Sequence, residues 1–233
     1  MERRYTWVLA YVLTIGCVLS TVHWGDRAVT VVAENIPVPR SSCILIDAGH
    51  GGEDGGATSC TGRAESEYNL EISRRLRDLL GLLGYSARMT RDTPDALSTE
   101  GETIAQRKLS DLKNRAAMVN REENPILISI HQNKFSEQKY TGAQVFYGGN
   151  PGSETLAQML QQKIVSTLNP GSRRQIKRSS GIYLMENIHC PAVLLECGFL
   201  SNPQEEALLS SPDYQKKLCC VIGSSVDQFL RNA

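Results

Sequence analysis

Pro125-Ile126-Leu127-Ile128-Ser129-Ile130-His131-Gln132-Asn133 decides the fold. A short apolar run without polar alternation reads as a strand buried on both faces, the kind found in parallel sheets sandwiched by helices. It breaks off on polar side chains that can bind or move protons. Two other runs share this design. Cys43-Ile44-Leu45-Ile46 leads into Asp47-Ala48-Gly49-His50-Gly51-Gly52, and Ala192-Val193-Leu194-Leu195, opened by Pro191, leads into Glu196-Cys197-Gly198. Tyr85 to Thr90 reads as a further strand, and Ala143 to Tyr147 alternates like another. Helical spacing fills the gaps. It appears in Ile72, Leu76, Leu79, Leu80 and Leu83 (about 67–83, with Gly84 as C-terminal cap), in Leu112, Ala116 and Val119 (about 102–121), and in Leu156, Leu160, Ile164 and Leu168 (about 153–168). A last helix carries Leu218, Val221, Ile222, Val226 and Phe229. The expected fold is a single α/β domain. It has a twisted, mostly parallel sheet of about six strands with helices on both faces.

Composition narrows the function. The chain has 233 residues, with 25 Lys+Arg against 25 Asp+Glu, so nothing in the balance favours a nucleic-acid partner. Seven cysteines with no C-x-x-C pair exclude a disulfide scaffold and a cysteine zinc finger. Arg3 and Arg4 precede an uncharged run from Tyr5 to Trp24. Its 20 residues span ~30 Å as a helix, the depth of a bilayer core. Residues 1–25 are therefore read as a signal anchor or signal peptide that also places the chain on a membrane. By the positive-inside rule the body lies outside the cytoplasm. Cleavage near Val31 and Ala33, or lipidation at Cys17, are weaker alternatives to an uncleaved anchor. Residues 26–41, with Pro37 and Pro39, form a linker, and 42–233 the catalytic body.

In parallel sheets, ligands bind at the carboxyl ends of the strands. Those ends here carry His50, His131 and Glu196, a donor set that suits zinc with one position open to water. Glu65 follows a glycine-rich loop (Gly51, Gly52, Gly55, Gly56, Gly62) that can fold back toward His50. It could complete the metal shell and leave Glu196 as a base. Glu67 is an alternative to Glu65. Blander readings stand beside each: His50 as a turn residue, Glu65 as a helix N-terminal acid, Glu196 as a strand-end carboxylate paired with a base. Asp47 is expected to orient a metal-bound imidazole. His189 lies outside any motif and reads as a loop residue.

Four motifs in order, DAGHGG, a Glu ahead of an NL-initiated helix, SIHQN and LLECGFLSN, resemble the zinc-dependent N-acetylmuramoyl-L-alanine amidases of the amidase-3 type. The resemblance runs from about Cys43 to Leu230. It implies Zn²⁺ held by His50, Glu65 and His131, Glu196 as the catalytic carboxylate, and peptidoglycan as substrate. The bond cut would join the muramic acid lactyl group to L-alanine. Two small departures are Gln132 and Cys197. The long helical insertion that blocks larger members is missing, since Tyr147-Gly148-Gly149 leads almost directly to the helix at 153. The short layout is similar to the germination-specific, spore-cortex branch. That branch implies work in the forespore intermembrane space and a partner that activates the enzyme or steadies its zinc. Asn133 and Arg174 are further candidates for contact with substrate or support of the site. Arg174 belongs to a basic cluster with Arg173, Lys177 and Arg178 that either faces solvent or holds stem-peptide carboxylates. Two rivals remain: another zinc peptidase or carboxypeptidase acting on wall peptides, and a non-catalytic wall-binding protein derived from an amidase.

Overall fold

The computed structural model describes residues 42–232, and the N-terminal segment read as a membrane element lies outside them. Among the described residues, no helix is long and apolar enough to cross a membrane. The strands are β1 (Cys43–Ala48), β2 (Ser86–Met89), β3 (Ile126–Asn133), β4 (Gln144–Tyr147), β5 (Lys177–Arg178) and β6 (Ala192–Phe199). The helices are α1 (Glu65–Leu82), α2 (Ile104–Arg121), α3 (Ser153–Thr167), α4 (Tyr183–Glu186), α5 (Pro203–Ser210) and α6 (Pro212–Asn232). One six-stranded sheet runs in the order β2-β1-β3-β6-β4-β5. All neighbours are parallel except β4 and β6.

Strand alternation divides the apolar core in two. Ile44, Ile46, Ile128, Ile130, Val193 and Leu195 face one way and pack against Ile72, Leu76 and Leu80 of α1, Leu160 of α3 and Ile222 of α6. Leu45, Leu127, Ala192 and Leu194 face the other way, against Ala116 and Val119 of α2 and Leu184 and Met185 of α4. Each of these large buried side chains contributes roughly 1.5–3 kcal/mol relative to exposure. Helix ends follow local chemistry. Thr103 and Gln106 form a reciprocal capping box at α2. Gly84 takes φ 86° just past α1, which a residue with a Cβ adopts poorly.

Boundaries differ from the sequence reading where side-chain chemistry outweighs pattern. Glu65 is the first residue of α1 and not merely a loop residue ahead of it. β5, α4 and α5 are too short to leave a periodic signal. β3 and β6 run past their apolar segments, so His131 and Glu196 lie on strands. β4 and α3 are joined by residues 148–152 alone.

Candidate metal centre and active site

The same alternation places the polar groups. Asp47, Ser129, His131, Glu196 and Gln144 continue the α2 and α4 face of the sheet just where its apolar residues stop. Register sets them side by side: Asp47 opposite Ser129, His131 opposite Glu196, and Gln144 opposite Glu196.

His50, Glu65 and His131 each bring one donor atom into a cluster whose atoms lie within 4.8 Å of one another. Glu65 is buried at the start of α1. Its Oε1 lies 3.3 Å from His50 Nε2 and 3.0 Å from His131 Nδ1, and it accepts from the Gln132 amide at 3.1 Å. Its Oε2 accepts from the Ala57 amide at 2.9 Å. Burial alone would raise the Glu65 carboxyl, but the two imidazoles outweigh it and hold Glu65 well below the usual carboxylate range. Burial likewise opposes charge on His50, but the Glu65 and Asp54 carboxylates raise its pKa. Both ring nitrogens of His50 face carboxylates: Nε2 faces Glu65, and Nδ1 faces Asp54 Oδ2 at 2.8 Å. An imidazole so placed is satisfied as a doubly protonated cation, or as a neutral ring with a metal ion on one side. The donor set therefore fits zinc.

Two glycines make the cluster sterically feasible. A Cβ on Gly49 would run into the His131 ring, and one on Gly56 would lie 2.6 Å from Glu65 Oε2. His50 itself takes φ 61°, an uncommon conformation for a residue with a side chain. Arg115, almost fully buried, holds that turn. It donates to the carbonyls of Ala48 and His50, each at 2.7 Å, and to Asp47 Oδ1 at 2.7 Å and Asp111 Oδ2 at 2.7 Å. Arg91 donates to the carbonyls of Ala48 at 2.9 Å and Gly49 at 3.0 Å.

Asp47 differs from its expected role. Its carboxylate accepts from Thr90 at 2.7 Å, Ser129 at 2.6 Å and Arg115, and reaches neither imidazole through a hydrogen bond. Arg115, which it holds, donates in turn to the His50 carbonyl. The carboxylate that does meet a ring is Asp54. The sequence reading missed it, although its i+4 offset from His50 inside a glycine-rich turn was a usable signal. Arg91, Arg115 and Asn69 were also missed; Asn69 donates to the Gly49 carbonyl at 3.1 Å. Glu67 lies at the surface, paired with Arg63 at 3.2 Å.

Glu196 lies beside the cluster, opposite His131 in register, but is not one of its donors. Its Oε2 is buried and has no hydrogen-bond partner among the described residues. Burial pushes its carboxyl up to about 7. Asn133 pairs with Phe199 through the backbone. Arg174 lies over the Phe199 ring, 4.6 Å from its centre, and donates to Gln144 Oε1 at 3.0 Å. Arg173, Lys177 and Arg178 are exposed. His189 is exposed on the loop that leads into the N-terminal end of β6, whereas Glu196 lies within the strand.

The family model of N-acetylmuramoyl-L-alanine amidases matches residues 44–228. The chain belongs to that amidase family. Among curated relatives, it is 41% identical to the germination-specific N-acetylmuramoyl-L-alanine amidase of Bacillus subtilis, over 77% of this chain and 76% of the relative. Among solved structures, the CwlD amidase from Clostridioides difficile, determined in complex with the GerS lipoprotein, superposes with a TM-score of 0.79. It is 34% identical and covers 83% of this chain and 100% of that one. An N-acetylmuramoyl-L-alanine amidase from Clostridium difficile 630 gives a TM-score of 0.70 at 30% identity, over 82% of this chain and 97% of that one. The amidase is thus a hydrolase of peptidoglycan, and the strand-end cluster is its candidate active site.

Proposed function

We propose that this amidase is zinc-dependent, with His50, Glu65 and His131 as ligands, and that it serves spore-cortex maturation outside the cytoplasmic membrane. The bond it cuts joins the lactyl group of N-acetylmuramic acid to L-alanine of the stem peptide. The observation that carries this reading is the convergence of three donor atoms within 4.8 Å beside a strand position held by Glu196. Residues 42–233 make up the catalytic domain, and residues 1–25 direct it to the membrane.

A zinc ion held by His50, Glu65 and His131 would supply Lewis acidity, lowering the pKa of a water toward ~7 and polarising the lactyl carbonyl. The chain's own residues do the rest. Glu196, raised to about 7 by burial, takes the proton from the attacking water and passes it to the departing alanine nitrogen. Water is the nucleophile, so no acyl-enzyme forms. Glu65 balances charge between the imidazoles, and the Arg115 and Arg91 contacts keep the His50 turn in place.

Identity to the germination-specific relative supports the cortex role. The lipoprotein bound to the C. difficile CwlD supports a protein partner for this chain as well. The direct β4 to α3 connection supports a site open to substrate by default. The test uses the full chain: zinc is quantified, purified peptidoglycan is added, and products are identified by mass spectrometry. The expected result is bound zinc and free stem peptides beginning with L-alanine. Release of single C-terminal amino acids would assign a carboxypeptidase instead. Folded protein that binds no zinc and releases nothing, with or without the partner, would leave a wall-binding protein.

A further inference from the structure

His50 and His131 present different nitrogens to the carboxylate between them. His50 turns Nε2 to Glu65 Oε1, and His131 turns Nδ1 to the same oxygen. What holds each ring also differs. Nδ1 of His50 meets Asp54 Oδ2 at 2.8 Å, and Asp54 is itself pinned. Its Oδ2 lies 3.0 Å from Lys108 Nζ, and its Oδ1 accepts from the Gly56 amide at 3.3 Å. Reciprocal backbone bonds between Gly51 and Asp54, 2.8 and 3.1 Å long, close the turn. The Nε2 edge of His131 instead packs over Gly49, where even a Cβ would collide with it.

We infer that Asp54 is the positioning residue of the metal centre: it holds the Nδ1–H tautomer of His50, so that His50 binds metal through Nε2 while His131 binds through Nδ1. The inference rests on the zinc reading above. A neutral imidazole carries one proton, and a carboxylate can only accept. A ring whose Nδ1 faces Asp54 therefore keeps its proton there and leaves the Nε2 lone pair free. Lys108 and the Gly56 amide keep the Asp54 oxygen aimed at the ring. Carboxylates in this position set ring orientation and raise ligand basicity, and losing one typically weakens metal binding 10–100-fold. Asp47, the acid of the same motif, does no such work because Arg115 and Ser129 hold it against the sheet.

The test compares zinc affinity by chelator competition with imidazole ¹⁵N spectra of the zinc-loaded full chain. Wild type should show a protonated Nδ1 on His50 and a protonated Nε2 on His131. Asp54→Ala should bind zinc 10–100-fold more weakly, and Asp54→Asn, which keeps an acceptor oxygen but not the charge, should fall between. Metal-free melting temperatures confirm that both variants are folded. Glu53→Gln, in the same loop and paired with Arg107 at 2.6 Å, should bind as wild type does. Both rings coordinating through the same nitrogen, or a folded Asp54→Ala that binds within twofold of wild type, would overturn the inference. If Asp54→Ala does not fold, the wild-type spectrum decides alone. A folded wild type that takes up no zinc would overturn the zinc reading instead.

Discussion

The two halves of the site are built in opposite ways. The half contributed by the β1 loop is held many times over. The carbonyls of Ala48, Gly49 and His50 accept from Arg91, Arg115 and Asn69, and the His50 ring meets Asp54. The half contributed by β6 is a single carboxylate whose Oε2 has no partner among the described residues. A left-handed residue such as His50 costs about 1–3 kcal/mol and persists only where its surroundings over-determine it. A buried carboxylate without a partner among the described residues is also costly, and burial raises its pKa. The contrast matches the proposed division of labour: redundancy around the proposed ligands, and an unpartnered acid at the proposed proton-transfer position.

The largest effect should come from the redundant half. Arg115 and Asp47 are a fully buried pair. Arg115→Met leaves the Asp47 charge stranded and should cost about 3–5 kcal/mol, lowering the melting temperature by roughly 6–20 °C. The same pair shapes acid stability. Burial works to raise the Asp47 carboxyl, but the Arg115 guanidinium and the Ser129 hydroxyl bring it down to about 2, against ~3.9 in an unfolded chain. Its contribution is therefore complete above pH ~4 and lost as pH falls toward 2. Denaturant titrations across that window should show a steep acid loss in wild type and a shallower one in Asp47→Asn. Gly49→Ala comes next, at about 1–3 kcal/mol for forcing the His131 ring aside. It should weaken zinc binding as well, which calorimetry and a chelator titration would separate. In the deficient half the sign changes. Glu196→Gln removes an unsatisfied buried charge and should leave the melting temperature unchanged or slightly higher. A large drop would mean that Glu196 is structural. His189→Ala should change stability by less than ~0.5 kcal/mol and leave activity intact.

Much of this was legible in the sequence because the strand runs are short, apolar and end abruptly. The run at 126–130 announced a two-sided strand, and its termination on His131 pointed to the carboxyl edge. Motif order drew attention to His50, Glu65, His131 and Glu196, and the fold brings the first three together beside the fourth. What stayed hidden depended on long-range geometry. Arg115 sits mid-helix in an otherwise ordinary pattern, and an arginine there is usually solvated; only the packing of α2 on the sheet turns it toward Asp47. Asp47 looked like the acid that orients an imidazole because of its place in the motif, but strand alternation aims it at Ser129 and Arg115. Asp54 carries a local signal, its i+4 offset from His50, although the contact also needs the loop's left-handed turn. The two-residue β5 left no periodic trace.

The most direct measurement is the turnover of peptidoglycan by zinc-loaded Glu196→Gln beside wild type, with zinc content and stem-peptide release followed in the same samples. The account predicts equal zinc and a loss of release of about 10²–10⁴-fold, the range expected when one proton-transferring side chain is removed. Equal zinc with release at the wild-type rate would contradict it.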